Sequence, residues 1–344
     1  MDRRLILAVA GAGKTMYLIN TLDLEKRFLI VTYTENNVAH IRRCIINRFG
    51  YIPRNITLMS YFQFLIHVCY RPFFKDRIKA KGITWNMPEE WTRYKKDIQY
   101  YIQSNHYLYY NRIAKLCMEH RATQIKARIE KFYDCFMFDE IQDLGGHDFN
   151  MVLSIVPSKI DCLFVGDFYQ HTFDTSNDGN VNKSLYKDLK KYIKLWSKSG
   201  ILIDETTLSN SYRCTPTICN FVSQNLHVSI DSHRKDNSVI SFVDNQADAD
   251  VLFYDSSKVK LFFREANKYQ CYSENWGKSK GLDSFHDICI ILNETTLNAY
   301  NENKLHLLKP ATLNKLYVAC TRAKGNIYFI PHTFIDKYKQ VDKL

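Results

Sequence analysis

The sequence lacks any uninterrupted apolar run of about 18 residues or more, the length that a membrane-spanning helix requires. We therefore expect a soluble protein that has no membrane partner and is located in the cytoplasm. The apolar residues that follow Arg3 and Arg4 lead directly into a glycine-containing loop. They are interpreted as a core strand and not as a signal peptide.

The ten cysteines form no C-x-x-C pair, and the sequence contains no internal repeat or low-complexity tract. Cys214 and Cys219 come nearest to a pattern, but their spacing suits neither a metal site nor a redox motif. We expect free, reduced thiols, which are typical of an intracellular protein.

The chain has 344 residues, which is long enough for two domains of ordinary size. Lysine and arginine total 47 against 36 aspartate and glutamate residues, so the formal net charge is +11. This excess of positive charge favours polyanionic partners such as nucleic acid, although basic surfaces also occur in proteins that bind none.

Residues 8–15, with the sequence AVAGAGKT, have the composition of a phosphate-binding loop. An apolar run precedes the loop and residues at helical spacing follow it, which gives the strand–loop–helix order that such a loop needs. The residues expected to bind the nucleotide here are Ala10, Gly11, Ala12, Gly13, Lys14 and Thr15. The glycines would let backbone N–H groups face phosphate oxygens, Lys14 would reach the β- and γ-phosphates, and the Thr15 hydroxyl would hold Mg²⁺. A glycine- and alanine-rich turn with a chance Lys-Thr pair is the alternative.

Buried-strand patterns alternate with amphipathic helical patterns, which predicts an α/β fold with a parallel sheet. The predicted strands are residues 28–34, 56–60, 135–138, 162–167, 239–243, 251–254, 260–263, 287–292 and 327–330. Residues from about 71 to 131 lack buried-strand runs and are interpreted as a helical insertion. Asp139 and Glu140 directly follow a predicted strand. An NTPase needs one such carboxylate for Mg²⁺ and its neighbour for the attacking water.

The segment Asp139-Glu140-Ile141-Gln142-Asp143, together with the phosphate loop, resembles the superfamily 1 helicases of the UvrD/Rep type. Six further segments resemble motifs of that family and follow in the family's order. They are residues 32–36 (TYTEN), 60–64 (SYFQF), 165–170 (VGDFYQ), 208–213 (LSNSYR), 279–283 (SKGLD) and 317–324 (YVACTRAK). The resemblance covers most of the chain.

The resemblance implies two RecA-like P-loop NTPase lobes with parallel sheets, residues 1–200 and 201–344. It places the ATP site in the cleft between the lobes and the helical insertion, residues 71–131, in the first lobe. The stretch between the Tyr-Arg and Lys-Gly-Leu motifs is short, so we expect a compact form without the family's large accessory domain in the second lobe. Seven residues precede Ala8, too few for the family's adenine-recognition segment, so a preference for ATP over other nucleotides is not predicted.

The resemblance also implies the roles of individual residues. Catalytic roles fall to Glu140, Lys14, Gln170, Arg213 and Arg322. Thr15 and Asp139 would hold Mg²⁺, while Tyr212 and Asp283 would bind ATP together with the loop. The residues expected to contact nucleic acid are Thr32, Tyr33, Thr34, Asn36, Tyr61, Phe173 and Trp276. A surface ion pair is the alternative role for each arginine, and core packing is the alternative for Trp276.

The expected function is an ATP- and Mg²⁺-dependent helicase or translocase that acts on single-stranded or partly duplex nucleic acid, with DNA expected. The alternative is an ATP-gated nucleic-acid sensor or accessory subunit that does not unwind processively and partners a nuclease in DNA repair or defence. A small-molecule P-loop kinase is a third possibility, but it would not need Tyr212 or Arg213. Lysines and tyrosines of the insertion suit a single-strand track, with helix packing as the alternative. These residues are Lys95, Lys96, Tyr100, Tyr101, Tyr107, Tyr109 and Tyr110.

Overall fold

The computed structural model describes residues 2–95, 97–172 and 181–340, apart from the side chain of Trp91. These residues form two compact units. The first unit comprises the described residues of Met1–Leu7, Lys14–Gly166 and Phe173–Asp204. The second comprises the described residues of Ala8–Gly13, Asp167–Thr172 and Glu205–Leu344. The predicted phosphate loop is thus divided after Gly13, because Lys14 and Thr15 begin a helix of the first unit.

The first unit is built on a parallel sheet. Its strands are β1 (Arg3–Leu7), β2 (Phe28–Thr32), β3 (Ile56–Ser60), β4 (Gly82–Thr84), β5 (Tyr107–Tyr109), β6 (Cys135–Asp139), β7 (Asp161–Gly166) and β8 (Leu202–Asp204). Six of them form one sheet in the order β3-β2-β6-β7-β1-β8, and each neighbouring pair is parallel. Strands β2 and β6 are buried at every position, as expected for a sheet that is covered on both faces.

Helices connect these strands. They are α1 (Lys14–Asn20), α2 (Glu35–Phe49), α3 (Tyr61–Phe64), α4 (Arg71–Ile78), α5 (Tyr110–Phe132), α6 (Gly146–Ser154) and α7 (Leu189–Lys198), with a π-helix at Leu65–Tyr70. Local signals fix where two of them start. The Thr34 hydroxyl accepts the Asn37 N–H at the start of α2, and Ser60 and Gln63 form a capping box at the start of α3. Strands β2 and β3 therefore pass directly into helices.

The insertion is not wholly helical, contrary to the prediction. Strands β4 and β5 pair in parallel between helices α4 and α5. Each strand has three residues, which is too short to show the alternation that identifies a strand in a sequence.

The second unit contains a separate five-stranded parallel sheet. The strands of this unit are β9 (Asn210–Ser211), β10 (Asp231–Ser232), β11 (Ile240–Phe242), β12 (Val259–Phe262), β13 (Ser273–Asn275), β14 (Ile288–Leu292) and β15 (Ile327–Pro331). Five of them form the sheet, in the order β11-β15-β14-β12-β13, while β9 pairs with β10. Its helices are α8 (Pro216–Asn225), α9 (Gln246–Tyr254), α10 (Glu294–Asn301), α11 (Pro310–Cys320) and α12 (His332–Ile335).

The strand predicted at residues 251–254 is wrong, since these residues end helix α9. The Asn245 side chain accepts the Asp248 N–H and starts the helix. Ala249 and Phe253 then pack into the core beside Ile291 and Ile330 of the sheet. A run of four apolar residues fits a strand and a buried helix equally well, so tertiary packing decides between them.

The predicted α/β class with parallel sheets is confirmed. In the described part of the chain, no helix is both long enough and apolar enough to cross a membrane.

Candidate nucleotide site

Four predicted site residues come together in the first unit. Helix α1 begins with Lys14 and Thr15, and strand β6 ends at Asp139, with Glu140 next in the chain. The Lys14 Nζ lies 3.6 Å from Glu140 Oε1, and the Thr15 hydroxyl donates a hydrogen bond of 3.0 Å to Asp139 Oδ2. An ammonium, a hydroxyl and two carboxylates thus form one polar cluster at the carboxyl edge of the sheet.

Glu140 has an unusual backbone conformation. Its φ of 56° and ψ of 44° lie in the left-handed region, which is unfavourable for a residue with a side chain. The Glu140 N–H donates to Asp139 Oδ1 at 3.0 Å, and the Gln142 amide donates to Glu140 Oε2. The first contact holds the Asp139 carboxylate in place, and the second holds the Glu140 carboxylate. Such local strain is characteristic of functional sites.

Gly166, at the end of β7, makes room for this arrangement. A Cβ atom at residue 166 would lie 2.5 Å from Gln142 Oε1 and 2.7 Å from Ile141 Cγ2. Only glycine therefore lets β7 approach the segment that carries Gln142. The sequence contained no signal for this role, because the contact joins residues that are distant in the chain.

Burial dominates the electrostatics of Asp139. The side chain is almost completely buried, and this burial, together with the nearby Glu140 carboxylate, raises the pKa of Asp139 to about 7, while Lys14 opposes the rise. A buried carboxylate beside another carboxylate is stabilised by a cation. The Thr15 hydroxyl and the Asp139 carboxylate are hard oxygen donors of the kind that Mg²⁺ prefers, so these residues fit that ion.

In the second unit, a buried tyrosine holds the backbone of the phosphate loop. The Tyr317 hydroxyl accepts the Ala10 N–H at 2.9 Å and donates to Asp167 Oδ2 at 2.9 Å. Burial and Asp167 raise the pKa of Tyr317 well above its ordinary value, so the hydroxyl remains protonated. The Gln170 amide donates to the same Asp167 oxygen at 2.9 Å. Gln170 is therefore connected to the loop through Asp167 and Tyr317.

We expect Tyr317→Phe to destabilise the second unit and weaken nucleotide binding. The change leaves the buried Ala10 N–H without its acceptor and removes one of the two hydrogen bonds to Asp167 Oδ2, and an unsatisfied buried group costs about 1–3 kcal/mol. The free energy of unfolding in urea and the KM for ATP would measure the two effects. Tyr328→Phe is the matched control, because Tyr328 lies on β15, is half-buried and makes no hydroxyl hydrogen bond within the described residues. Equal stability of the two variants would contradict this role of Tyr317.

Tyr212, which the resemblance predicts to bind ATP, presents an exposed ring beside the loop. The Tyr212 N–H donates to the Gly11 carbonyl at 2.9 Å, and the ring lies 3.9 Å from the position of a Cβ at residue 13. The side chain is 64% exposed and stacks on His233 with 4.0 Å between ring centroids. His233, which follows β10, was not predicted as a site residue, since nothing in its local sequence marks it.

The two predicted arginine residues converge on Asp283. Arg213 forms an ion pair with Asp283 and donates to the Thr321 carbonyl at 3.1 Å. Arg322 is almost fully buried, donates to the Leu282 carbonyl at 3.4 Å and lies 4.0 Å from Asp283 Oδ1. The Asp283 side chain is 64% exposed. Neither arginine is thus an isolated surface charge.

The residues predicted to contact nucleic acid are not equally accessible. Thr32, Tyr61 and Trp276 are fully buried, so their side chains are not placed to contact a strand, and these three predictions are corrected. Tyr61 donates to Asp148 Oδ1 at 2.9 Å, and the Trp276 indole N–H donates to the Leu261 carbonyl at 2.9 Å, which satisfies both polar groups inside the protein.

The remaining residues of this group differ from one another. Asn36 is exposed, Tyr33 is half-buried and Thr34 caps helix α2. Phe173 lies outside the described residues.

Comparison with known families identifies the fold's relatives. The viral superfamily 1 RNA helicase core domain matches residues 119–331, which is more than half of the chain. No curated protein shows significant similarity to the chain. The superfamily 1 helicase core predicted from the motifs is confirmed, but the family match is to the viral type and not to the UvrD/Rep type.

The chain shares its fold with one solved helicase structure at low sequence identity, and two further helicase structures have lower TM-scores. Arterivirus nonstructural protein 10 (helicase) in complex with DNA has a TM-score of 0.50 at 11% identity, over 95% of this chain and 60% of that chain. The crystal structure of arterivirus nonstructural protein 10 (helicase) has a TM-score of 0.49 at 12% identity, over 95% of this chain and 59% of that chain. The structure of PRRSV helicase has a TM-score of 0.48 at 13% identity, over 98% of this chain and 54% of that chain.

The chain thus spans about 60% or less of the length of these helicases. With a match across residues 119–331, this chain belongs to the viral superfamily 1 RNA helicase core family.

Proposed function

We propose that this chain hydrolyses a nucleoside triphosphate, with ATP as the expected substrate, and uses the reaction to move along or unwind nucleic acid. The observation that carries the proposal is the cluster of Lys14, Thr15, Asp139 and Glu140 in the first unit. A lysine and a hydroxyl at a helix start, opposite two carboxylates, are the groups that triphosphate hydrolysis needs.

Each residue of this cluster has a distinct proposed role. Lys14 neutralises charge on the β- and γ-phosphates, and Glu140 orients the attacking water and accepts its proton. Thr15 and Asp139 would hold Mg²⁺, which when bound neutralises phosphate charge. The hydrogen bond from Gln142 and the contact with Lys14 keep the Glu140 carboxylate in one orientation.

Arg213 and Arg322 are proposed to bind phosphate oxygens. Their guanidinium groups are already held beside the exposed Asp283 carboxylate, and a phosphate group presents similar acceptors that arginine binds bidentately. An arginine that stabilises the transferring phosphoryl group contributes roughly 10³–10⁵ in rate. Sequence resemblance alone assigns both arginines to the nucleotide that Lys14 binds, and that assignment remains a prediction.

Single-stranded nucleic acid is the proposed second ligand. The solved arterivirus helicase with DNA supports a nucleic-acid ligand, and the family description names RNA. The net charge of +11 favours either polymer. DNA as the substrate and the UvrD/Rep type are finer predictions from the motifs, while the family match favours the viral type.

A second candidate function is a nucleic-acid-gated NTPase that does not unwind and acts with a protein partner such as a nuclease. The secondary structure of residues 214–275 favours this second function. In the structure these residues supply helices α8 and α9 and strands β10 to β13, which leaves little chain for the accessory domain expected of the UvrD/Rep type. Strand displacement by the purified chain distinguishes the two functions, because only the first predicts it.

The proposal predicts that nucleic acid stimulates hydrolysis. Phosphate release from ATP by the purified chain should rise several-fold when a single-stranded oligonucleotide is added, because the proposed function couples hydrolysis to movement along a strand. Oligodeoxythymidine and oligouridine should be tested in parallel, so that the two responses identify the preferred polymer. A rate that neither oligonucleotide changes would contradict the proposal.

A further inference from the structure

An exposed tryptophan lies in the insertion, directly after strand β4. Trp85 is 67% exposed, whereas Trp196 and Trp276 are fully buried. Burying a large aromatic side chain is among the strongest contributions that one residue makes to a core. A single exposed apolar side chain is ordinary, but an exposed indole that joins further rings in one apolar patch indicates a surface used for binding.

Two other rings support Trp85. Its ring centroid lies 4.1 Å from that of Tyr110, at an interplanar angle of 37°, and 5.5 Å from that of Phe62. Phe62 and Tyr110 also contact each other, with 5.6 Å between centroids. We call these three residues the Trp85 platform. Contacts with two half-buried rings orient the indole while most of it stays accessible.

The platform is connected to the carboxyl edge of the first sheet. Phe62 follows strand β3 by two residues, and the Tyr110 hydroxyl shares a hydrogen bond with Tyr33, the first residue after β2. Strands β2 and β3 are paired in parallel, with Thr32 opposite Ser60, so both ends lie at the same edge. Ligands of open α/β sheets bind at this edge.

The segment that leads into the platform is strongly basic. Between residues 71 and 81 it carries five exposed cations and a single carboxylate, Asp76. The cations are Arg71, Lys75, Arg77, Lys79 and Lys81. None of the five forms an ion pair with a carboxylate of the described residues, so their charge is available to an external anion.

Most of the tyrosines that the sequence suggested for a single-strand track pack inside the insertion instead. Tyr101 and Tyr109 are buried, and Tyr100 is covered by Arg112 and Lys115, whose cations lie 3.9 Å and 4.2 Å from its ring centroid. These rings pack the insertion. Among the predicted tyrosines, Tyr110 is the one that joins the exposed platform.

We propose that the Trp85 platform stacks a base of single-stranded nucleic acid while the basic segment 71–81 binds the adjacent phosphates. Single strands are bound by aromatic rings on which bases stack, beside a positively charged groove that follows the backbone. The combination of an exposed indole with unpaired cations favours a polynucleotide over an apolar protein partner. The proposal rests on the proposed function, since it names the residues that bind the second ligand.

The test measures the binding of labelled oligodeoxythymidine and oligouridine to the full chain by fluorescence anisotropy. We expect Trp85→Ala to weaken binding by about 5- to 140-fold, the equivalent of about 1–3 kcal/mol for one stacked base. Trp85→Phe keeps an aromatic face and should retain most of the affinity. Adding either oligonucleotide should quench tryptophan fluorescence more in the wild type than in Trp85→Phe, because Trp85 is exposed whereas Trp196 and Trp276, the other tryptophans whose side chains the structure describes, are buried.

Tyr94→Ala is the matched control, since Tyr94 is an 87% exposed aromatic residue of the same insertion and has no ring contact with the platform in the described structure. Replacing both Lys79 and Lys81 with glutamine should reduce the salt dependence of binding, by about 0.7 in slope for each lost phosphate contact. Wild-type affinity in Trp85→Ala would overturn the platform and leave the proposed function intact. Equal losses in Trp85→Ala and Tyr94→Ala would also overturn the platform. If the wild type binds neither polymer, both proposals fail.

Discussion

Glu140→Gln is expected to lower the hydrolysis rate by roughly 10²–10⁴, the usual contribution of a general base. The substitution preserves the size of the side chain but removes the charge that we propose to orient water and accept its proton. Nucleotide binding should persist, because Lys14, Thr15 and the loop backbone are unchanged. Phosphate release would report the rate, and titration with a fluorescent nucleotide would report the affinity.

Glu25→Gln provides the control for Glu140→Gln. Glu25 is an exposed glutamate of the same unit and lies outside the polar cluster, so its substitution should leave hydrolysis unchanged. An active Glu140→Gln variant would show that another group serves as the base. A variant that loses nucleotide binding as well would show that Glu140 mainly holds the strained turn at φ 56°.

The second large effect is expected for Gly11→Ala. Gly11 has a φ of +72°, and a Cβ at this residue would lie 2.7 Å from both Arg213 Cβ and Ser211 Oγ. The left-handed backbone with a side chain costs roughly 1–2 kcal/mol, and the steric clash adds about 1–3 kcal/mol. The clash must displace Arg213 or the loop itself, so we expect nucleotide affinity to fall together with stability.

Gly50→Ala separates backbone strain from the clash in Gly11→Ala. Gly50 ends helix α2 with a φ of +81°, and no atom lies within 4 Å of its added Cβ. Gly50→Ala should therefore lose stability through its backbone alone and bind nucleotide as the wild type does. Thermal unfolding and nucleotide titration of both variants give the comparison. Equal losses of stability with unchanged nucleotide binding in both would refute the close contact at Gly11.

Much of the candidate nucleotide site could be located from the sequence because its signals are local. The loop of residues 8–15 stands between a strand and a helix, and Asp139-Glu140 directly follows a strand, so neighbouring residues suffice to identify both. Parallel strands of one sheet end at the same edge, which is why Thr15 and Asp139 meet although 124 residues separate them.

The proposed surface for nucleic acid could not be predicted in the same way. The resemblance predicts that Tyr61 and Trp276 contact a strand, yet both are buried. Trp85 belongs to no motif, yet it is exposed and supported by two rings. An aromatic residue has the same local signature in a core and in a binding surface, so the packing around it decides its role.

The sequence by itself determined the alternation of strands and helices, the phosphate loop and the carboxylate pair, because each depends on residues that are close together in the sequence. The tertiary structure decided which side chains support them. Tyr317 holds the Ala10 N–H from 307 residues away, and Gly166 makes space for the side chain that orients Glu140. Such contacts arise from close packing between distant segments, and no local pattern encodes them.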